Sequence, residues 1–287
     1  MLAAAMTALL GGGAGIANAT EPCRDFGECK VLVEINSTDG DIGFHFLMDG
    51  DNLRYASLFN PNHRKIFSYS TRRELRKQFL TETFAESAEP LCFDPTLDED
   101  EENDDEDFVT LEEFTDRWTT GKYRFYGIGE GWELSKGASY LTFDLPAAPN
   151  LDEEDDYGYD ESIISWGRGD DLGECSDGME LLETAPEDVP VAIWEVVLEV
   201  DIDEEDIETP EEQAIANSKF VVRIPEDTAE LEFEVEVPED FLASLPDNTP
   251  AKVEVGAIGF DDNATFSETD EICLNEVGED GCGFDEE

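Results

Sequence analysis

The chain has 287 residues and a formal charge of -57, with 74 Asp and Glu against 17 Lys and Arg, yet 40% of it is apolar and 10% aromatic. That apolar content excludes wholesale disorder, since disordered acidic chains are poor in Phe, Trp, Val and Ile. The charge excludes nucleic acid as a general partner, because phosphate binding depends on clustered Lys and Arg that release counterions. The length allows two ordinary domains, and the charge splits unevenly: residues 20–93 hold nine Lys and Arg against 12 Asp and Glu, whereas residues 137–287 hold four against 47.

In chain order, "MLAAAMTALLGGGAGIANA" is a short apolar run ending in Ala17-Asn18-Ala19, a small-x-small pattern that reads as a signal peptide over 1–19. No later segment reaches about 18 apolar residues, so no membrane span is expected. The expected location is secreted, periplasmic or cell-surface.

"KVLVEIN" and "DIGFHFLMDG" alternate apolar and polar residues, the period of half-buried strands, with the Asp-Gly turn of "STDGD" between them. "NLRYASLF", closed by the turn "NPN", predicts a third strand, and "GKYRFYGI" and "SYLTFDL" predict later ones. Two helices are predicted from capping boxes, Thr71 with Glu74 and Thr110 with Glu113. The second places Leu111, Phe114 and Trp118 on one face, with Gly121 as its stop.

The stretch 60–79 is the one cationic island: Arg64, Lys65, Arg72, Arg73, Arg76 and Lys77 against Glu74 alone. Its cations near a helix N-terminus oppose the helix dipole, which calls for a compensating anion. Two sources are open: the acidic block 94–107, ten acidic residues in 14, folding back onto the island, or an external anionic partner, a protein face or an acidic polysaccharide.

"ENDDEDFVTLEEF" resembles an EF-hand loop, but with Glu113 as the twelfth ligand the sixth position is Asp107, where the turn needs glycine. Asp39, Asp41, Asp49 and Asp51, in "STDGD" and "MDGDN", are weak calcium candidates that also suit turns. No cofactor other than calcium is expected.

The even count of six cysteines predicts disulfides in an exported chain; the sequence leaves their connectivity open, and one arrangement pairs Cys23 with Cys29, Cys273 with Cys282, and Cys92 with Cys175. A zinc site is the competing reading, and the absence of CxxC together with a total of only two histidines argues against it. His45, between Phe44 and Phe46, reads as a sheet-face residue before it reads as a general base.

After residue 150, "SIISW", "VAIWEVVLEVD", "KFVVRI", "AELEFEVEV" and "AKVEVGAIGF" predict an antiparallel sandwich. Here the sequence resembles a fibronectin type III domain: Trp166 matches the tryptophan of its second strand, "AIWEVVLEV" its third, and "LPDNTPAKVEVGAI" the segment entering its sixth. Ala251 stands where that family's corner tyrosine is expected. "DGDIGFHFLMDGD", "NPNHRKIF", "LRKQFLTETFAESAEP" and "LPAAP" resemble uncharacterised exported bacterial proteins that carry such a domain at their C-terminus. The expected fold is mostly β: an α+β N-terminal domain over 20–150 with a few short helices, a fibronectin-like domain over 151–275, and an acidic tail over 276–287. The expected function is an exported, non-catalytic binding, adhesion or spacer protein. The alternatives are an extracellular hydrolase of carbohydrate or ester, and a low-affinity calcium-binding surface protein.

Overall fold

The computed structural model describes residues 23–93, 108–152, 157–160, 162–202, 207, 209–226, 232–277 and 282. The leader 1–19, the acidic block 94–107, residues 153–156 of the second acidic run and nearly all of the tail beyond 277 lie outside the described residues.

The protein is mostly β. Strands β1 (Glu28–Asn36), β2 (Asp41–Leu53), β3 (Tyr55–Phe59) and β4 (Lys65–Ser70) lead to helix α1 (Arg73–Gln78), β5 (Leu80–Glu86), α2 (Leu111–Arg117), β6 (Gly121–Ile128) and β7 (Leu134–Leu141). Strands β8 (Gly158–Asp160), β9 (Ile163–Gly167) and β10 (Val191–Val200) precede α3 (Pro210–Ala216), β11 (Lys219–Pro225), β12 (Glu232–Glu236) and α4 (Glu239–Leu242). Strands β13 (Thr249–Gly259), β14 (Ala264–Glu268) and β15 (Ile272–Leu274) complete the described chain.

One large sheet runs β11-β10-β13-β14-β1-β2-β5, with β15 added to β13, and so contains strands from both sides of residue 150. The joint is β1 against β14, a parallel pair with Glu34 beside Ala264 and Asn36 beside Phe266. Asn263, buried just ahead of β14, seals it: its Oδ1 accepts the amide of Val33 at 2.8 Å, and its Nδ2 donates to the carbonyls of Thr142 and Asp144. Ser37 adds a hydroxyl bond of 2.7 Å to the carbonyl of Phe266. The "LPAAP" segment is buried at this joint, and Thr265 donates to the Pro146 carbonyl at 2.6 Å.

One face of the large sheet supplies both apolar cores. Val31, Val33 and Ile35 of β1 and Ile42, Phe44 and Met48 of β2 pack with Leu58, Tyr123, Phe125 and the helix residues Leu111 and Phe114. Sheet β4-β3-β6-β7 contributes to this core. Farther along, Trp194, Val196 and Leu198 of β10 and Val253 and Val255 of β13 pack with Ile164, Trp166 and Phe233 of sheet β12-β9-β8. Trp166 stacks on Phe233 and meets Trp194 edge-on at 6.1 Å.

Several expectations need correction. Thr71 does not cap α1: its hydroxyl donates to the Arg54 carbonyl at 3.2 Å, the helix begins after Arg72, and no side chain caps it. Thr110 does cap α2, accepting from the Glu113 amide at 3.3 Å, and Trp118 just beyond the helix stacks on Phe44 at 3.9 Å. "MDGDN" is not a turn between strands but an irregularity within β2, where Asn52 has φ 52° and the register with β5 shifts. The disulfides Cys23–Cys29 and Cys92–Cys175 are formed. Cys273–Cys282 is not: Cys273 is unbonded, and the Cys282 sulfur lies against the carbonyls of Asn248 and Ile272, the latter 3.5 Å away. Strands β4 and β5 and the boxed helix α3, with Thr209 and Glu212 capping each other, were not foreseen.

Asn263→Ala leaves the buried Val33 amide without its acceptor and should cost about 2–3 kcal/mol in chemical denaturation. Reducing Cys92–Cys175, whose residues are 83 apart in sequence, should cost about 3–5 kcal/mol on loop-closure grounds. Both are read from denaturant midpoints.

Candidate functional site

Two surfaces of opposite charge result. The first is the cationic arm formed by β4, α1 and the turn before β4. Asn60 builds that turn, its side-chain oxygen accepting the Arg64 amide at 2.9 Å and its carbonyl accepting the His63 amide at 2.9 Å. Arg64, Lys65, Arg72, Arg73, Arg76 and Lys77 are all exposed, and α1 buries no residue. None of the six cations forms an ion pair with a described acidic residue. Leu75, half exposed, supplies an apolar contact among them. Arg72 is extended at the helix N-cap and so stands off the helix that carries Arg73, Arg76 and Lys77.

The second surface is the outward face of the large sheet. Residues directly paired across a sheet share a face, so the registers place Glu195, Gly256, Phe266, Asn36 and Asp41 in one row. A neighbouring row holds Val197, Glu254 and Glu268. Gly256 is required there, since a Cβ would strike the Phe266 ring that lies over it. Among the described residues the cations on this face are few: Lys252 pairs with Asp201 at 3.2 Å, Lys30 bridges Glu28 and Asp262, and Arg223 pairs with Glu195.

Four carboxyls on this face, Glu254, Asp41, Glu34 and Glu268, are raised above the usual carboxylate range, by burial first. Burial, then the opposed Glu268, pushes Glu254 up to about 7. Burial, then Glu89 and Asp39, raises Asp41 to about 6. Burial also lifts Glu34, against the pull of His45, and Glu268.

Toward β5 the same face carries His45, opposite Leu32 and Glu86. The segment after β5 continues along β2: the Ser87 hydroxyl accepts the Phe44 amide at 3.0 Å, and the Pro90 carbonyl accepts the Ile42 amide. This brings Glu89 over His45, with Oε1 2.7 Å from Nε2, while Glu34 Oε2 stands 3.9 Å from Nδ1. The His45 ring is 3% exposed and meets Phe84 edge-on at 5.7 Å. Glu34 and Glu89 were not singled out from sequence, and nothing local marks them.

Asp39, Asp41, Asp49 and Asp51 do not converge. Asp39 lies in the turn before β2 and Asp41 at its start, whereas Asp49 and Asp51 lie near its end, some eight residues or about 26 Å along an extended strand. Asp39 accepts from Asn36 Nδ2 at 3.0 Å, and Asp51 lines a separate cleft with Asp25, Glu130 and Glu133. A larger cleft of about 810 Å³, beside the joint between β1 and β14, is lined by Asp152, Arg168, Asp170, Asp171, Glu268 and Asp270 among others.

No protein-family model matches the chain, and no curated protein matches it. Among solved structures it is similar to the BSP domain of a biofilm associated protein, at 10% identity and TM-score 0.23, covering 88% of this chain and 30% of that one. It is also similar to a 1.5-MDa bacterial ice-binding adhesin described for host cell surface retention, at 11% identity and TM-score 0.22, covering 87% and 64%. The chain thus spans less than two thirds of either structure.

The raised carboxyl values set a pH dependence. A folded-state value above the unfolded one means that the native protein holds the proton more tightly, so the stabilisation is complete below about 4.5 and is lost as pH rises through about 7 for Glu254. Melting temperature at fixed ionic strength should therefore fall between pH 5 and pH 8. Glu254→Gln should flatten that fall, and added salt should raise the melt most at the alkaline end.

Proposed function

We propose that the protein is an exported, non-catalytic binding protein whose cationic arm holds an anionic partner, a protein face or an acidic polysaccharide. The observation that carries this reading is that six exposed Lys and Arg stand without a described acidic partner in a chain of net charge -57. Where acids outnumber cations so heavily, an unpaired cluster is a locally inverted field that attracts anions and orients them on approach. Arginine, four of the six, binds carboxylate and sulfate through paired donors.

Export is supported by the two formed disulfides, by the leader expected from sequence, and by the fact that among the described residues no helix is long and apolar enough to cross a membrane. The fibronectin-like reading of the second half is supported by Trp166 in the core against Phe233 and Trp194. Where the family's tyrosine is missing, the Thr249 hydroxyl closes the "LPDNT" turn on the Pro246 carbonyl at 2.9 Å. A second reading, an extracellular hydrolase of carbohydrate or ester, is favoured by His45 lying between Glu34 and Glu89.

Immobilised carboxylated and sulfated polysaccharides should retain the full chain at low salt and release it as salt rises. Changing Arg72, Arg73, Arg76 and Lys77 together to Gln should abolish retention with an unchanged melting temperature. Retention equal to wild type would remove the arm from the account, and a melt lowered at low salt would assign it to an internal clamp. Turnover of a carbohydrate or ester panel, lost in His45→Gln, would replace binding by hydrolysis.

A further inference from the structure

The junction of β1, β2 and the segment after β5 has a chemistry that the anionic partner does not use. Glu34 and His45 project from adjacent strands, and Glu89 is laid across them, so that one donor atom from each lies within 4.8 Å of the other two. Gly43, directly opposite Glu34, leaves the space between them open: a Cβ there would come within 2.7 Å of both Glu89 Oε1 and His45 Nε2. We propose that Glu34, His45 and Glu89 form a binding site for one divalent transition-metal ion of the zinc type.

The donor set decides the class of ion. One imidazole with two carboxylates suits zinc and its neighbours, whereas calcium selects oxygen ligands alone. Ligands about 2.0–2.2 Å from a tetrahedral zinc stand about 3.3–3.5 Å from one another. The two carboxylates approach different ring nitrogens, Glu89 Oε1 standing 2.7 Å from Nε2 and Glu34 Oε2 3.9 Å from Nδ1, and an ion takes one of them: at Nε2, beside the open space over Gly43, Glu89 retreats by some tenths of an ångström and Glu34 turns from Nδ1 toward the ion. Their side chains are 35% and 37% exposed and free to make this adjustment, while the His45 side chain, at 4%, is held by its surroundings. Three protein ligands leave a fourth position for water. On binding, the neutral imidazole offers one ring nitrogen to the metal and keeps its proton on the other, and the ion offsets the mutual repulsion of Glu34, Glu86 and Glu89.

The test is zinc titration of the folded full chain, followed by calorimetry and by thermal melts against calcium at matched ionic strength. Cobalt absorption in place of zinc reports imidazole and carboxylate coordination directly. One equivalent should bind and raise the melt, and calcium in excess should not displace it. Glu89→Gln, at a partly exposed position, and His45→Gln should each weaken binding by at least about tenfold, and Gly43→Ala should weaken it without removing a ligand. Circular dichroism of Glu89→Gln confirms that the fold is intact where His45→Gln disturbs it. Zinc affinity and melt shift unchanged in Glu89→Gln would assign the ion to scattered surface carboxylates and overturn the proposal. So would displacement by calcium at equal concentration, or the absence of wild-type binding below millimolar zinc, which would leave the three residues as an ion-pair cluster only.

Discussion

The parallel pairing of β1 with β14 is the constraint on which the rest of the structure depends. Parallel strands need a long crossover, and here the crossover is most of the chain, since Glu34 and its partner Ala264 lie 230 residues apart. Asn263 makes the junction specific. Its buried amide oxygen takes a β1 amide, and its nitrogen serves the carbonyls on either side of Phe143. With that joint closed, one sheet face buries two cores, and the opposite face becomes a single surface to which both halves of the chain contribute.

This explains the electrostatics of the outward face. Glu254, Glu268, Asp41, Glu34 and His45 come from four strands and share a surface because β14 and β1 are neighbours. Strand pairing sets Glu254 opposite Glu268, and like charges so placed are destabilising. Burial, then the opposed Glu268, raises Glu254 to about 7, and burial, then Asp39, raises Glu268. The exposed lysines and arginines of the island stand on the arm of β4 and α1, while Phe67 and Tyr69 of β4 pack against the first core.

Local backbone devices hold each charged group where it is. Gly40, at φ 75°, closes the turn between β1 and β2, and a side chain there would strike Phe93. That tight return leaves room for residues 87–92 to run alongside β2, with Cys92 both disulfide-bonded to Cys175 and hydrogen-bonded through its amide to the Gly40 carbonyl. Glu89 is therefore placed by a bridge to a cysteine 83 residues away as much as by its own strand.

The sequence by itself determined the elements whose apolar residues alternate into a core: β1, β6, β9, β10 and β13 could be read directly from Val, Ile, Phe and Trp at every second position. It also determined the α2 cap and the existence of the cationic island, whereas the pairing of the cysteines was decided by the fold. Strands β4 and β5 were not legible because "KIFSYS" and "LTETFAE" turn mostly exposed residues outward and bury little. Thr71 was misread as a cap because Thr-x-x-Glu states only a local option, and the Arg54 carbonyl offered the hydroxyl a better one. The grouping of Glu34, His45 and Glu89, the fusion of both halves into one sheet, and the burial and crowding that raise Glu254 were decided only by tertiary structure. Each depends on register between segments far apart in sequence, and periodicity reports which face a residue takes on its own strand without reporting which strand lies beside it.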